Sequence, residues 1–264
     1  MSDNDLSSAR PALLLTCAAF LAIASSASAA TWFSDFDGVG DDAFENIANT
    51  GGGGFIDMTN NWLVLTQDVN NQVTTAYVPD LTPGGAALTI GAAFDINQSA
   101  GSADEADGAS LFFGAFANTT TALQDGFGLT DGLRVRFHIE NNDFGGGAGG
   151  LDESITVHYN NVELFEQQVA LTTDSIDFRS VALSVDQTGL FNLSYDGSPI
   201  FTNQTIAGWA PEEGWQFALA GRTGGRNANQ FVDNLSLTAV VPEPGQAALL
   251  SLAAAGFLLR RRRG

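Results

Sequence analysis

Short stretches in which apolar and polar residues alternate recur through the body of the chain, separated by Gly, Asn, Asp and Pro. Alternation with a period of two is typical of half-buried β-strands, whereas no amphipathic helix of useful length is visible. The pattern therefore predicts an all-β fold in which two antiparallel sheets pack as a β-sandwich or jelly roll. The predicted strands cover residues 62–66, 73–78, 87–90, 92–96, 110–116, 133–139, 155–159, 178–185, 190–195, 216–220 and 231–238.

One part of this pattern predicts strand pairing as well as strands. Residues 181–185 and 190–195 flank a turn, and Asp196-Gly197 marks a tight hairpin turn before Ile200-Phe201. The three segments form a predicted meander whose apolar side chains share one face. Their polar neighbours Ser184, Asn192 and Ser194 are expected to face solvent.

The N-terminal end carries the features of a signal peptide. Residues 11–24 are apolar, and Ala27-Ser28-Ala29 supplies the small residues of an A-x-A cleavage site. We therefore predict a signal helix that is removed with residues 1–29. The only cysteine, Cys17, lies in the removed part. The mature chain would then have no disulfide and depend on its core for stability.

The C-terminal end, residues 241–264, combines three elements. Pro242-Glu243-Pro244 is expected to be extended and separate from the body, because proline fixes φ and removes a backbone donor. Residues 247–259 are uncharged and predict a hydrophobic helix of about 20 Å, shorter than a bilayer core. Arg260, Arg261, Arg262 and Arg263 follow and would stop the helix at the cytoplasmic face. These elements predict a weak membrane anchor behind a protease-accessible segment.

This arrangement closely resembles the PEP-CTERM sorting signal of Gram-negative bacteria. The resemblance implies that Pro242-Glu243-Pro244 is recognised by an exosortase in the inner membrane and that the helix is then removed. The remainder would reach the cell surface or an exopolysaccharide matrix, after only a transient stay in the inner membrane. A tail anchor that is never cut is the alternative.

Charge limits the classes of partner. The formal net charge is −20, from 30 acidic and 10 basic residues, and five of the basic residues lie in the two end segments. Such an acidic body repels phosphate backbones, so nucleic-acid binding is excluded. It suits divalent cations or a neutral or cationic polysaccharide, and it also fits plain solubility. No break in composition divides residues 30–240, which we predict to be one domain.

Four segments occur in the order found in the legume-type lectins of the concanavalin A-like superfamily, which they resemble. The resemblance implies a lectin-like jelly roll in which Asp107, with Gly108, accepts hydrogen bonds from sugar hydroxyls; a loop-capping role for Asp107 is the alternative. Arg136 stands where the family has a metal-binding carboxylate, which puts the two-metal site in doubt. The four segments are residues 106–112, 132–137, 217–225 and 231–237, and residues 181–185 with 195–197 resemble the later meander of the same family.

Other residues could contribute to ligand binding. Trp209 lies in a predicted loop and is the better candidate for an exposed sugar-stacking ring, and Asn142 could supply an amide. Glu140, Asp143 and Asp152 flank a glycine-rich run and carry the hard oxygen ligands that calcium prefers. Solvated acidic loops are the alternative, and no cofactor is expected to be required.

We expect no catalysis, although the superfamily includes glycoside hydrolases. The laminarinase-like E-x-D-x-x-E run is absent, and Glu163 and Glu166 are three residues apart, which on a regular strand sends them to opposite faces. The sequence thus favours a non-catalytic carbohydrate-binding or adhesion module. A structural matrix protein without a defined ligand and, less favoured, a divergent glycanase are the alternatives.

Overall fold

The computed structural model describes residues 27–38, 44–100, 107–119, 121–123, 131–139, 153–173 and 176–242. Within these ranges the chain forms strands and no helix, which confirms the all-β prediction. The strands are β1 Ala27–Ser34, β2 Asn46–Thr50, β3 Phe55–Asp57, β4 Trp62–Thr66, β5 Val73–Tyr77, β6 Thr89–Ala100, β7 Gly108–Gly114, β8 Gly132–His138, β9 Ser154–Tyr159, β10 Val162–Gln168, β11 Arg179–Val185, β12 Leu190–Tyr195, β13 Ser198–Thr205, β14 Gln216–Arg222 and β15 Ala228–Pro242.

The strands form two antiparallel sheets. Sheet 1 has the order β13-β12-β11-β6-β15-β4-β3, and β1 also pairs with β15. Sheet 2 has the order β10-β9-β8-β7-β14-β5-β2. In the middle of each sheet the neighbours come from distant parts of the sequence, as where β6 lies beside β15 and β14 lies beside β7, whereas β7 to β10 and β11 to β13 pair consecutively. This combination of long crossovers and hairpins is a jelly-roll arrangement.

The core lies between the sheets and follows the alternation that the sequence shows. On β11, Val181, Leu183 and Val185 are buried, while Ala182 and Ser184 between them are exposed. Across the sandwich, the rings of Phe94 and Phe137 meet edge to face with centroids 5.9 Å apart. The predicted meander is confirmed, since β11 pairs with β12 in a register that places Ser184 opposite Asn192.

A smaller apolar cluster covers the outer face of sheet 2. Phe112 and Tyr77 lie on neighbouring positions of β7 and β5, on either side of Ala218, and Phe116 packs on both rings. The Tyr77 hydroxyl donates to the carbonyl of Thr121 at 2.6 Å. This hydrogen bond, together with the packing of Phe116, holds the segment that follows β7 over part of this sheet face.

The structure corrects three sequence expectations. Gly91 does not interrupt a strand, because β6 runs through it. A β-bulge in β10 pairs Glu163 with His158 and Glu166 with Thr156, so the two glutamates share a face and the prediction of opposite faces is wrong. Pro242 is the last residue of β15 and pairs with Ala27, so the first residue of the Pro-Glu-Pro motif is not separate from the sandwich.

The predicted signal helix and the predicted hydrophobic C-terminal helix lie outside the described residues. Among the residues that the structure does describe, no helix is long and apolar enough to cross a membrane.

Candidate functional site

Asp107 is held by backbone hydrogen bonds at one end of sheet 2. Its N–H donates to the carbonyl of Arg222 at 3.0 Å, and its own carbonyl accepts from the N–H of Ile139 at 3.3 Å. Gly108 follows with φ at +134°, and a Cβ there would lie 2.2 Å from the carbonyl oxygen of Phe137. Only glycine fits that position, so the Asp-Gly pair fixes where the carboxylate is placed.

The carboxylate of Asp107 lies beside a cationic side chain and beside a glycine. Its Oδ2 is 2.8 Å from Nε of Arg222 on the neighbouring strand β14. A Cβ placed on Gly224 would come within 3.3 Å of Oδ1, so the lack of a side chain at Gly224 leaves space beside this oxygen. Asp107 is 6% exposed, and the ion pair offsets the cost of holding its charge there.

The glycine loop, residues 221–225, is fixed by hydrogen bonds to the turn between β4 and β5. Thr223 donates its N–H to the carbonyl of Gln72 at 2.9 Å and accepts the N–H of Gln72 on Oγ1 at 3.0 Å. The N–H of Asn71 donates to the carbonyl of Gly224 at 3.0 Å. The loop is therefore pre-organised beside Asp107, as a binding site for a polar ligand requires.

Trp209 lies elsewhere. It is partly buried, its indole N–H donates to the carbonyl of Leu88 at 2.9 Å, and its ring packs on Tyr159 with centroids 5.6 Å apart. It also contacts Phe113, near the far end of β7 from Gly108. A strand of this length spans about 20 Å. The expectation of an exposed Trp209 is wrong, because the partly buried ring packs in an aromatic cluster at the opposite end. Its role in stacking on sugar stays a prediction.

A group of ionisable side chains lies on the outer face of sheet 2, on strands β8 to β10. His158 is 3.8 Å from the carboxylate of Glu163, and its Nε2 is 3.3 Å from the hydroxyl of Thr156. Burial, followed by the charges of Arg134 and Arg136, lowers the pKa of His158 to about 4. The imidazole is therefore neutral at physiological pH.

The residues that β8 turns outward do not fit the metal site that the lectin resemblance raises. Arg134 and Arg136 face outward there, and a guanidinium group cannot ligate a cation. In the part of the chain that the structure describes, no three His, Cys, Asp or Glu side chains form a metal-binding group. The loop residues predicted for calcium or sugar contact, Glu140, Asn142, Asp143 and Asp152, lie outside the described residues.

The sorting and cleavage residues are described only in part. Ala27 and Ala29 belong to β1, and Pro242 ends β15. Glu243, Pro244 and the four arginines Arg260, Arg261, Arg262 and Arg263 lie outside the described residues.

Sequence reasoning missed two residues of the Asp107 site. Arg222 and Gly224 were visible only as part of a glycine-rich loop after a strand. Their role depends on the register that pairs Arg222 with Gly108 across β14 and β7. The shortage of basic residues in the body was the available signal, since a buried carboxylate needs a cationic or hydrogen-bonding partner.

The fold is that of legume-type lectins. The Ca²⁺- and mannose-bound form of the VIP36 exoplasmic/lumenal domain aligns over 78% of this chain and 88% of its own, at 14% identity and a TM-score of 0.55. Lectin UEA-II complexed with galactose aligns over 80% and 98%, at 13% identity and a TM-score of 0.58. The metal-free carbohydrate recognition domain of Emp46p aligns over 73% and 86%, at 12% identity and a TM-score of 0.54.

Sequence comparison identifies the tail. No curated protein matches the chain by sequence. Residues 240–263 match the family model of the PEP-CTERM protein-sorting motif, which confirms the resemblance seen in Pro242-Glu243-Pro244 and the basic terminus. The chain thus carries a PEP-CTERM sorting motif behind a β-sandwich with the fold of the legume-type lectins.

Proposed function

We propose that this chain is an exported, non-catalytic carbohydrate-binding protein of a Gram-negative bacterium, sorted by an exosortase to the cell surface or the exopolysaccharide layer. Residues 1–29 act as the signal peptide, residues 30–240 form the lectin-like domain and residues 241–264 are the sorting signal. The tail anchors the precursor in the inner membrane only until it is cut. The matched sorting motif and the lectin fold support this order of events.

The observation that carries the binding proposal is the site around Asp107. A directional acceptor lies beside a fixed glycine loop and a cationic donor, Arg222. Sugars present vicinal hydroxyls, and each can donate to a carboxylate while accepting from a guanidinium or a backbone N–H. The site is anchored by backbone on both sides, so a ligand would meet groups that are already in place.

A matched pair of glycine substitutions tests the site. Gly224→Ala places a methyl group 3.3 Å from Oδ1 of Asp107, whereas Gly225→Ala meets nothing within 4 Å. Neither glycine has a positive φ, so both variants should fold. On a glycan array, we expect saturable binding by the wild type and Gly225→Ala, and at least tenfold weaker binding by Gly224→Ala. Equal binding by all three proteins would show that Asp107 is not part of the binding site.

The burial of Asp107 favours a second candidate function. A carboxylate that is 6% exposed and paired with Arg222 can serve the loop alone, and the domain would then be a structural matrix protein. If this second function is correct, we expect no binding across a broad glycan array and tight retention of the protein at the cell surface. Release of reducing ends from a β-glucan would instead support a divergent glycanase.

If the protein binds calcium, the proposed site is formed by residues 140–152. Glu140, Asp143 and Asp152 would supply carboxylate oxygens, and Asn142 an amide that could ligate calcium or contact sugar. Isothermal titration of the wild type with CaCl₂ tests this directly. A heat of binding that the wild type shows and the triple alanine variant of the three acidic residues lacks would support calcium binding. Identical titrations of the two proteins would show that this loop does not bind calcium.

A further inference from the structure

The two processing sites of the chain meet in one β-ladder. Strand β1 pairs with the end of β15 over eight rungs, in which Ala27 lies opposite Pro242, Ser28 opposite Val241 and Ala29 opposite Val240. The cleavage tripeptide therefore pairs with the first residue of the Pro-Glu-Pro motif and the two residues before it. These ends are 213 residues apart in sequence, from 27 to 240, and only the fold brings them together.

The three rungs formed by Ala27, Ser28 and Ala29 differ from the rest of β1. Beyond them, Trp32 is buried and packs on Phe44 with the two rings tilted, and Phe36 is fully buried just after the strand, so apolar packing holds that part. Ser28 and Ala29 are exposed. Ser28 and Ala29 are therefore held to β15 by strand pairing and not by burial of their own side chains.

Removal of the signal peptide after Ala29 would take these three rungs away. Val240 would keep a second partner, because it also pairs with Thr89 of β6 and accepts the N–H of Leu88 at 3.0 Å. Among the described residues, Val241 and Pro242 have no strand partner besides Ser28 and Ala27. What would remain for Val241 is its side-chain contact with the backbone of Gly85.

We propose that residues 27–29 form a latch on the sorting motif, and that N-terminal processing must precede C-terminal sorting because it leaves Val241 and Pro242 unpaired. Proteases bind their substrates as extended, unpaired segments, and a residue engaged in a sheet must first leave its ladder. The N-terminal cut therefore falls before residues 27–29 pair with β15, and a precursor that folds uncut keeps Val241 and Pro242 paired. This inference rests on the proposed sorting function and assigns the order of its two steps. It also predicts that the ordered part of the trimmed protein ends near Val240.

The experiment keeps the latch on the processed chain. Inserting a second Ala-Ser-Ala directly after Ala29 leaves that tripeptide at the mature N-terminus, where it restores the three rungs. A matched control inserts Gly-Pro-Pro instead, which has the same length but lacks two backbone donors. N-terminal mass analysis verifies where each protein was cut.

Pulse–chase conversion of the tail-bearing to the trimmed form is the first measurement. We expect the Ala-Ser-Ala insertion to slow conversion at least threefold and the Gly-Pro-Pro insertion to leave it unchanged. Gly85→Ala, whose Cβ would lie 2.5 Å from Cγ1 of Val241, should restore normal conversion in the Ala-Ser-Ala background by displacing Val241. Equal conversion of both insertion variants would overturn the latch.

A second measurement separates failure of the latch from failure of the sorting proposal. Tail-bearing protein from cells without the sorting protease is compared by hydrogen exchange at Val241. At least tenfold slower exchange in the Ala-Ser-Ala protein than in the Gly-Pro-Pro protein supports the latch, and equal exchange overturns it. A wild-type tail that is never trimmed would contradict sorting instead, and it would leave this exchange result standing.

Discussion

The two ends of sheet 2 are built from different chemistry. At the Asp107 end, a carboxylate, a guanidinium and a glycine loop are fixed by hydrogen bonds between loops. At the Trp209 end, the rings of Phe113, Tyr159 and Trp215 surround the indole, with centroids between 5.6 and 6.4 Å away. Directional polar groups provide specificity, whereas packed rings provide stability. Under the proposed function, binding belongs to the Asp107 end and stability to the Trp209 end.

The largest expected effect concerns the aromatic end. Trp209→Ala should lower the free energy of unfolding by about 3 kcal/mol, because truncating a packed tryptophan leaves a cavity and loses its contacts. Urea denaturation measures this. Phe33→Ala, at a ring that is 49% exposed, is the control and should change stability by less than about 0.5 kcal/mol. Loss of glycan binding in a folded Trp209→Ala protein would contradict the division between the ends.

The next effect concerns the polar end. Asp107→Ala should cost about 2 kcal/mol, less than for a fully buried pair, because the side chain of Arg222 is partly exposed to screening solvent. The double variant with Arg222→Met tests the coupling by a thermodynamic cycle. We expect it to be more stable than the sum of the single changes predicts, and simple additivity would show that the ion pair contributes nothing.

The smallest effect lies between the two ends, on β9. The pKa of His158 is about 4 in the folded protein, lowered by burial and by Arg134 and Arg136, against about 6.5 when unfolded. The unfolded state therefore binds more protons between these values, and stability falls as the pH drops from about 6.5 to 4. The loss should be about 1 kcal/mol, less than for a fully buried ring, because the His158 side chain keeps 14% of its surface exposed and lies 3.8 Å from the carboxylate of Glu163.

His158→Gln is the control for this pH dependence. The carboxylates titrate in both proteins, so the difference between their stability curves isolates the histidine. Curves that stay parallel between pH 7 and 4 would show that the ring keeps an ordinary pKa.

The sequence predicted the sandwich because alternation and turn residues are local signals. Residues 62–66 and 190–195 were predicted with the bounds that β4 and β12 have. Strand β10 was missed because its bulge breaks the alternation, and β1 because its first residues carry the small residues of a cleavage site. Strand β1 also depends on a pairing partner far away in sequence, β15, whereas β10 pairs with the strand directly before it, β9.

The site was only partly predictable for the same reason. Asp107 and Gly108 were found through a motif that resembles the lectins. Arg222 becomes part of the site through cross-strand register, which no local pattern contains. Trp209 was misplaced because a loop position in the sequence does not reveal that the ring folds back onto Tyr159.

The central claim, that sugar binds at the Asp107 end, is tested most directly by backbone amide chemical shifts of the trimmed protein during titration with oligosaccharides from the producing cell's own exopolysaccharide. The account predicts saturable shifts confined to Asp107, Gly108 and residues 221–225 with their neighbouring loops, and none around Trp209. Shifts centred on Trp209, or no shifts with any oligosaccharide of that matrix, would contradict it.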